Sequence, residues 1–119
     1  MRIAIVTHRK EALGAFASGL ATQEVEIDWV PTPEAAVHQA RVFPRDMVIF
    51  DDPTGGFRAS ITALMKANAL IHTAVITPMD PERFHTESEG LGILTSLPPS
   101  PNAEHAQYLL SKVRELMGS

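Results

Sequence analysis

Five short apolar runs alternate along the chain with stretches whose apolar residues recur at helical spacing, and this alternation leaves few folds open. The runs are RIAIV (2–6), VEIDWV (25–30), MVIF (47–50), TAVIT (73–77) and GILTSL (92–97). MVIF is continuously apolar, as a strand covered on both faces of a parallel sheet must be, and TAVIT is similar. VEIDWV alternates apolar and polar residues, which places it at an edge with one wet face.

The intervening stretches read as helices. Between Glu11 and Thr22, Leu13, Phe16, Ala17 and Leu20 form one apolar stripe. Thr32-Pro33-Glu34 combines an N-cap, a proline at the first helical position and an acid near the positive helix end, and predicts a helix to about Phe43. Ile61, Leu64, Met65 and Asn68 mark a third helix. Asp80-Pro81-Glu82 opens a short fourth, which ends near Glu89-Gly90. Ser100-Pro101 begins the last, with Ala106, Leu109, Leu110, Val113 and Leu116 toward the core. Strands and helices in this order predict an α/β fold: a three-layer αβα sandwich around a five-stranded parallel sheet. Residues 1–119 are read as a single domain, and five such units suit the flavodoxin-like strand order 2-1-3-4-5. In that order the ligand crevice lies at the carboxyl ends of strands 1 and 3.

RDMVIFDDPTGG (45–56) ends the third strand at that crevice in two aspartates, Asp51 and Asp52. Paired carboxylates there suggest a metal or phosphoryl site, with Thr7 and His8 from strand 1 and Thr77 from strand 4 as neighbours. The chain has no cysteine, which removes thiolate metal sites and cysteine nucleophiles. A formal charge of −4 and scattered basic residues argue against binding nucleic acid or an anionic membrane. The first strand leads into THRKEALG, which lacks the glycines of a dinucleotide loop. No run has the length of a membrane span and the N-terminus lacks the features of a signal peptide, so a cytoplasmic protein is expected.

Taken together, the chain resembles a response-regulator receiver (CheY-like) domain of two-component signalling. RDMVIFDDP is similar to the strand ending in the phospho-accepting aspartate, and AVITPMD to the strand ending in the switch Thr/Ser. LPPSPNAEHAQYLLSKVREL is similar to the segment that begins at Lys-Pro and ends in the last helix. VPTPEAAVHQA resembles the second strand-to-helix passage. The resemblance puts the phospho-acceptor position at Asp51 and the switch hydroxyl at Thr77. It also exposes departures: Thr7-His8 stands where the family has its Mg²⁺-binding acidic pair, and Leu97 stands where it has the lysine.

Phosphoryl transfer needs positioning and charge neutralisation, and Mg²⁺ needs hard oxygen ligands. Asp52, Thr7 and His8 make a weak, vestigial metal set, with His8 better suited to Zn²⁺, Ni²⁺ or Cu²⁺. No cofactor is expected, and Mg²⁺ at most weakly. No residue obviously replaces the lysine; Arg58 would have to reach in from the next helix. Asp51 and Asp52 can equally close their loop by accepting backbone N–H groups near Thr54–Gly56. The expectation is a pseudo-receiver: a stand-alone signalling module rather than an enzyme, with impaired or absent aspartyl phosphorylation. Its partner would be a histidine kinase, a phosphotransfer protein or an effector protein. The resemblance implies contact, including homodimerisation, through the helix 4–strand 5–helix 5 face, with Phe84 and Tyr108 on the interaction surface. The alternatives are a genuine response regulator that accepts phosphate on Asp51 and a small-ligand or metal-binding flavodoxin-like protein.

Overall fold

The computed structural model describes residues 1–21, 25–43, 45–54 and 56–116. Its strands are β1 (Arg2–Val6), β2 (Glu26–Val30), β3 (Met47–Asp51), β4 (His72–Ile76) and β5 (Thr95–Leu97). Its helices are α1 (Gly14–Leu20), α2 (Pro33–Val42), α3 (Phe57–Ala67), α4 (Pro81–Glu87) and α5 (Ala103–Leu116), with a 3₁₀ turn over Lys10–Leu13 before α1. The five strands form one sheet in the order β2-β1-β3-β4-β5, every pair parallel. This is the expected flavodoxin-like α/β architecture.

The period of two along each strand divides the core into halves. Ile3, Ile5, Met47, Ile49 and Ile76 pack with Phe16, Leu20, Leu109 and Val113 on the α1–α5 side. Ala4, Val6, Val48, Phe50 and Val75 pack with Ala36, Phe57, Ile61, Leu64 and Phe84 on the other. α1 and α5 approach closely at Gly19, where a Cβ would lie 2.9 Å from the Ala106 Cβ and 3.0 Å from the Ala103 Cα. β2 is the partly wet edge, with Glu26 exposed and Val30 buried.

The proline-bearing helix starts form as expected. The Thr32 hydroxyl accepts Ala35 N–H at 3.1 Å, and Asp80 Oδ1 accepts Arg83 N–H at 3.0 Å. α5 begins two residues beyond Pro101, because the Asn102 side chain is the acceptor there, taking Glu104 N–H at 2.9 Å and His105 N–H at 3.1 Å.

Other expectations need correction. The first helical stretch is a 3₁₀ turn followed by a short α-helix ending at Leu20; Thr22 lies outside the described residues. β5 starts at Thr95 rather than Gly92, whose φ of +66° is not a strand conformation. Leu116, the last residue of α5, is 57% exposed rather than turned toward the core. Phe84 is buried at 7% exposure with its ring centroid 5.3 Å from that of Phe57, so it belongs to the core rather than to an interaction surface.

Candidate functional site

Parallel pairing brings the strand tips to one end of the sheet. Val6 pairs with Phe50, and Asp51 with Ile76. Past these pairs the backbone stays tied: Asp52 N–H donates to Ile76 O at 2.8 Å and Thr77 N–H to Leu97 O at 2.9 Å. Thr7, Asp51, Asp52 and Thr77 therefore stand at neighbouring strand ends, as the strand order requires.

Asp51 is the centre of the arrangement. Its side chain is only 3% exposed, and both carboxylate oxygens are engaged. Oδ2 accepts the Thr7 hydroxyl at 2.6 Å and Arg9 Nε–H at 2.9 Å; Oδ1 accepts Arg9 Nη2–H at 2.6 Å. The guanidinium thus grips the carboxylate with its fork, the strongest geometry available to such a pair. Donation to Asp51 raises the Arg9 pKa above its ordinary value. Partial burial opposes the shift and the carboxylate's charge adds to it.

Local structure explains why Arg9 turns inward. The Thr7 hydroxyl accepts Arg9 N–H at 2.8 Å, a hydroxyl-closed turn that folds the chain back directly after β1. Arg9 then opens the 3₁₀ turn, its carbonyl accepting Ala12 N–H at 3.0 Å. The same guanidinium reaches across to the segment after β5, where Nη2 donates to Pro99 O at 3.0 Å.

The other expected residues are placed as follows. Asp52 Oδ1 accepts Thr54 N–H at 3.1 Å and the Thr54 hydroxyl at 2.9 Å, which closes the loop after β3. Thr77 is buried, and its hydroxyl accepts Met79 N–H at 3.2 Å. Leu97 is buried in the α1–α5 half of the core. His8 is exposed. Among the described residues, no three His, Asp or Glu side chains gather into a group able to hold a metal ion. Arg58 does not reach the site. It donates to Glu87 O at 2.9 Å and Glu89 O at 3.4 Å, at the end of α4.

Arg9 is the residue that sequence reasoning missed. It lies three positions past the first strand's end, adjoining the crevice, and that position was the available signal. Its basic neighbour Lys10 behaves differently, with its ammonium 5.3 Å from the Trp29 ring centroid. A cavity of about 220 Å³ opens beside the aspartates, lined also by Thr7, His8, Thr54 and Phe57.

No protein-family model matches the chain, and no curated protein matches it. Solved structures do. A response regulator from Desulfuromonas acetoxidans superposes with a TM-score of 0.79 at 19% identity, over 97% of each chain. A CheY-like response regulator receiver domain protein from Methanospirillum hungatei JF-1 gives 0.78 at 15%, covering 96% of this chain and 94% of its own. A response regulator from Thermotoga maritima gives 0.78 at 16%, covering 99% and 98%. The fold is that of response-regulator receiver domains.

Proposed function

We propose that the chain is a receiver-like signalling module, a pseudo-receiver, that works by protein–protein contact in a two-component or phosphorelay setting while its acceptor-position aspartate is withheld from phosphorylation. One observation carries this reading: the Arg9 fork closes on both oxygens of a buried Asp51.

A carboxylate that attacks a phosphoryl group needs a free oxygen and a cation beside it to gather the phosphoryl oxygens. Asp51 already accepts three hydrogen bonds, and Oδ2 takes two of them. Mg²⁺ needs near-octahedral oxygen ligands. The oxygens here are a carboxylate paired with arginine, a threonine hydroxyl already donating to that carboxylate, and an aspartate whose Oδ1 closes a turn. This donor set does not fit the ion. Leu97 brings no charge where the resemblance would have a lysine.

A module of this kind is a signalling protein rather than an enzyme, and its output runs through a partner: a histidine kinase, a phosphotransfer protein or an effector. The α4–β5–α5 face, which would also serve homodimerisation, presents Tyr108, 49% exposed, with the Lys112 ammonium 5.3 Å from its ring centroid. A cytoplasmic location fits this role; among the described residues no helix is long and apolar enough to cross a membrane.

The test is incubation with a small acyl phosphate and Mg²⁺, followed by intact-mass measurement. The mass should stay that of the free protein. A phosphoryl adduct that disappears in Asp51→Asn would replace this reading with a genuine phospho-accepting regulator.

A further inference from the structure

We infer that Arg9 is a built-in latch: its guanidinium takes the place of an external cation and ties the β5–α5 segment to the end of β3, fixing the module in a single conformation. The inference rests on the pseudo-receiver reading and adds the device that would enforce it.

Nη2 is shared. It donates to Asp51 Oδ1 at 2.6 Å and to Pro99 O at 3.0 Å, while Nε holds Asp51 Oδ2 at 2.9 Å. One planar group therefore joins the loop after β1, the last residue of β3 and the segment that leads into α5. Asp51 is buried, whereas Pro98, Pro99 and Ser100 are exposed, so the anchor is at the aspartate and the tethered part is the segment. Immediately downstream, Asn102 caps α5, and its own N–H donates to His105 Nδ1 at 3.0 Å. The position of the α5 start is thus linked through a few covalent bonds to a residue that Arg9 holds. Pro98 and Pro99 also line a groove with Pro78, Met79 and Asp80, so the tether sets one wall of the cleft between the loops after β4 and β5.

Arginine suits this task better than an exchangeable ion. Its charge is permanent, its fork fixes direction, and it stays attached to the chain. The latch is indifferent to cation supply, so what would be a switchable site becomes a static one.

The experiment is backbone and side-chain NMR on the full chain, as wild type, Arg9→Gln and Asp51→Asn. In the wild type, Arg9 Nε–H should give a slowly exchanging signal. Ser100 and Asn102, which have the only amide N–H groups between Leu97 and Ala103, should show order parameters near the rigid value of about 0.85. Adding Mg²⁺ to the wild type should leave both amides where they are. In each variant these two amides should fall below about 0.6, while the β1 and β3 amides keep their wild-type order. An Arg9 Nε–H that exchanges like free arginine in the wild type overturns the latch without any variant. So do two folded variants whose Ser100 and Asn102 remain as ordered as before, or Mg²⁺ that moves these amides in the wild type. A phosphoryl adduct on wild-type Asp51 instead removes the functional reading, so the two failures are distinct.

Discussion

Neutralising Asp51 tests the site by the sign of its effect on stability. A carboxylate crowded by other uncompensated acids gains stability when its charge is removed. Asp51 is in the opposite situation, buried against a guanidinium and a hydroxyl that both donate to it. In Asp51→Asn, one oxygen becomes an NH₂ group and faces a donor whichever way the amide turns. Placing the remaining oxygen at the Oδ2 position keeps the Thr7 and Nε bonds and sets NH₂ against Nη2–H. A lost hydrogen bond between charged partners costs about 1.5–3 kcal/mol. The Arg9 side chain is 36% exposed, so solvent screening keeps the loss in the lower half of that range. About 2 kcal/mol in a chain of 119 residues is a fall of about 8 °C in Tm. Thermal unfolding followed by circular dichroism reads it directly. Combining the variant with Arg9→Gln should cost little more than the worse single change, a coupling of about 1 kcal/mol or more. The Arg9 pKa is raised, so the guanidinium's contribution is complete below its ordinary value and fades only as pH climbs through the higher folded value. The Tm difference between wild type and Arg9→Gln should therefore persist from neutral into alkaline buffer. A Tm that rises in Asp51→Asn, or additive single and double variants, would refute the pairing of Arg9 with Asp51.

Three further outcomes separate core from surface. Gly19→Ala places a methyl group 2.9 Å from the Ala106 Cβ, so α1 and α5 must move apart, and urea unfolding should show a loss of about 1–3 kcal/mol. Phe84→Ala should destabilise by about 3–5 kcal/mol in the same assay, because it empties a buried contact with Phe57. Tyr108→Ala should stay within about 0.5 kcal/mol of wild type while weakening any self-association seen by analytical ultracentrifugation.

The fold was legible because it is written in local periods. MVIF could only be a central strand, and Thr32-Pro33 and Asp80-Pro81 could only open helices; the structure places all three as read. Legibility failed wherever a residue's role depends on what lies across the sheet. Phe84 sits in a short helix bounded by charged residues, and it is core because it packs into the cluster that holds Phe57. Gly92 reads as part of a strand until its φ is known.

Arg9 is the sharpest case. Arg9 and Lys10 are adjacent cations in the sequence, yet one closes on Asp51, 42 residues away, and the other lies over Trp29. What divides them is the turn closed by the Thr7 hydroxyl, which accepts Arg9 N–H. The same hydroxyl that donates to Asp51 accepts Arg9 N–H, so one side chain both occupies the carboxylate and delivers the arginine to it. The carboxylate of Asp51, its side chain 3% exposed, and the guanidinium that faces it are thus one arrangement, since burying a charge is costly unless it is paired and hydrogen-bonded, and the loop leaving β1 supplies both partners.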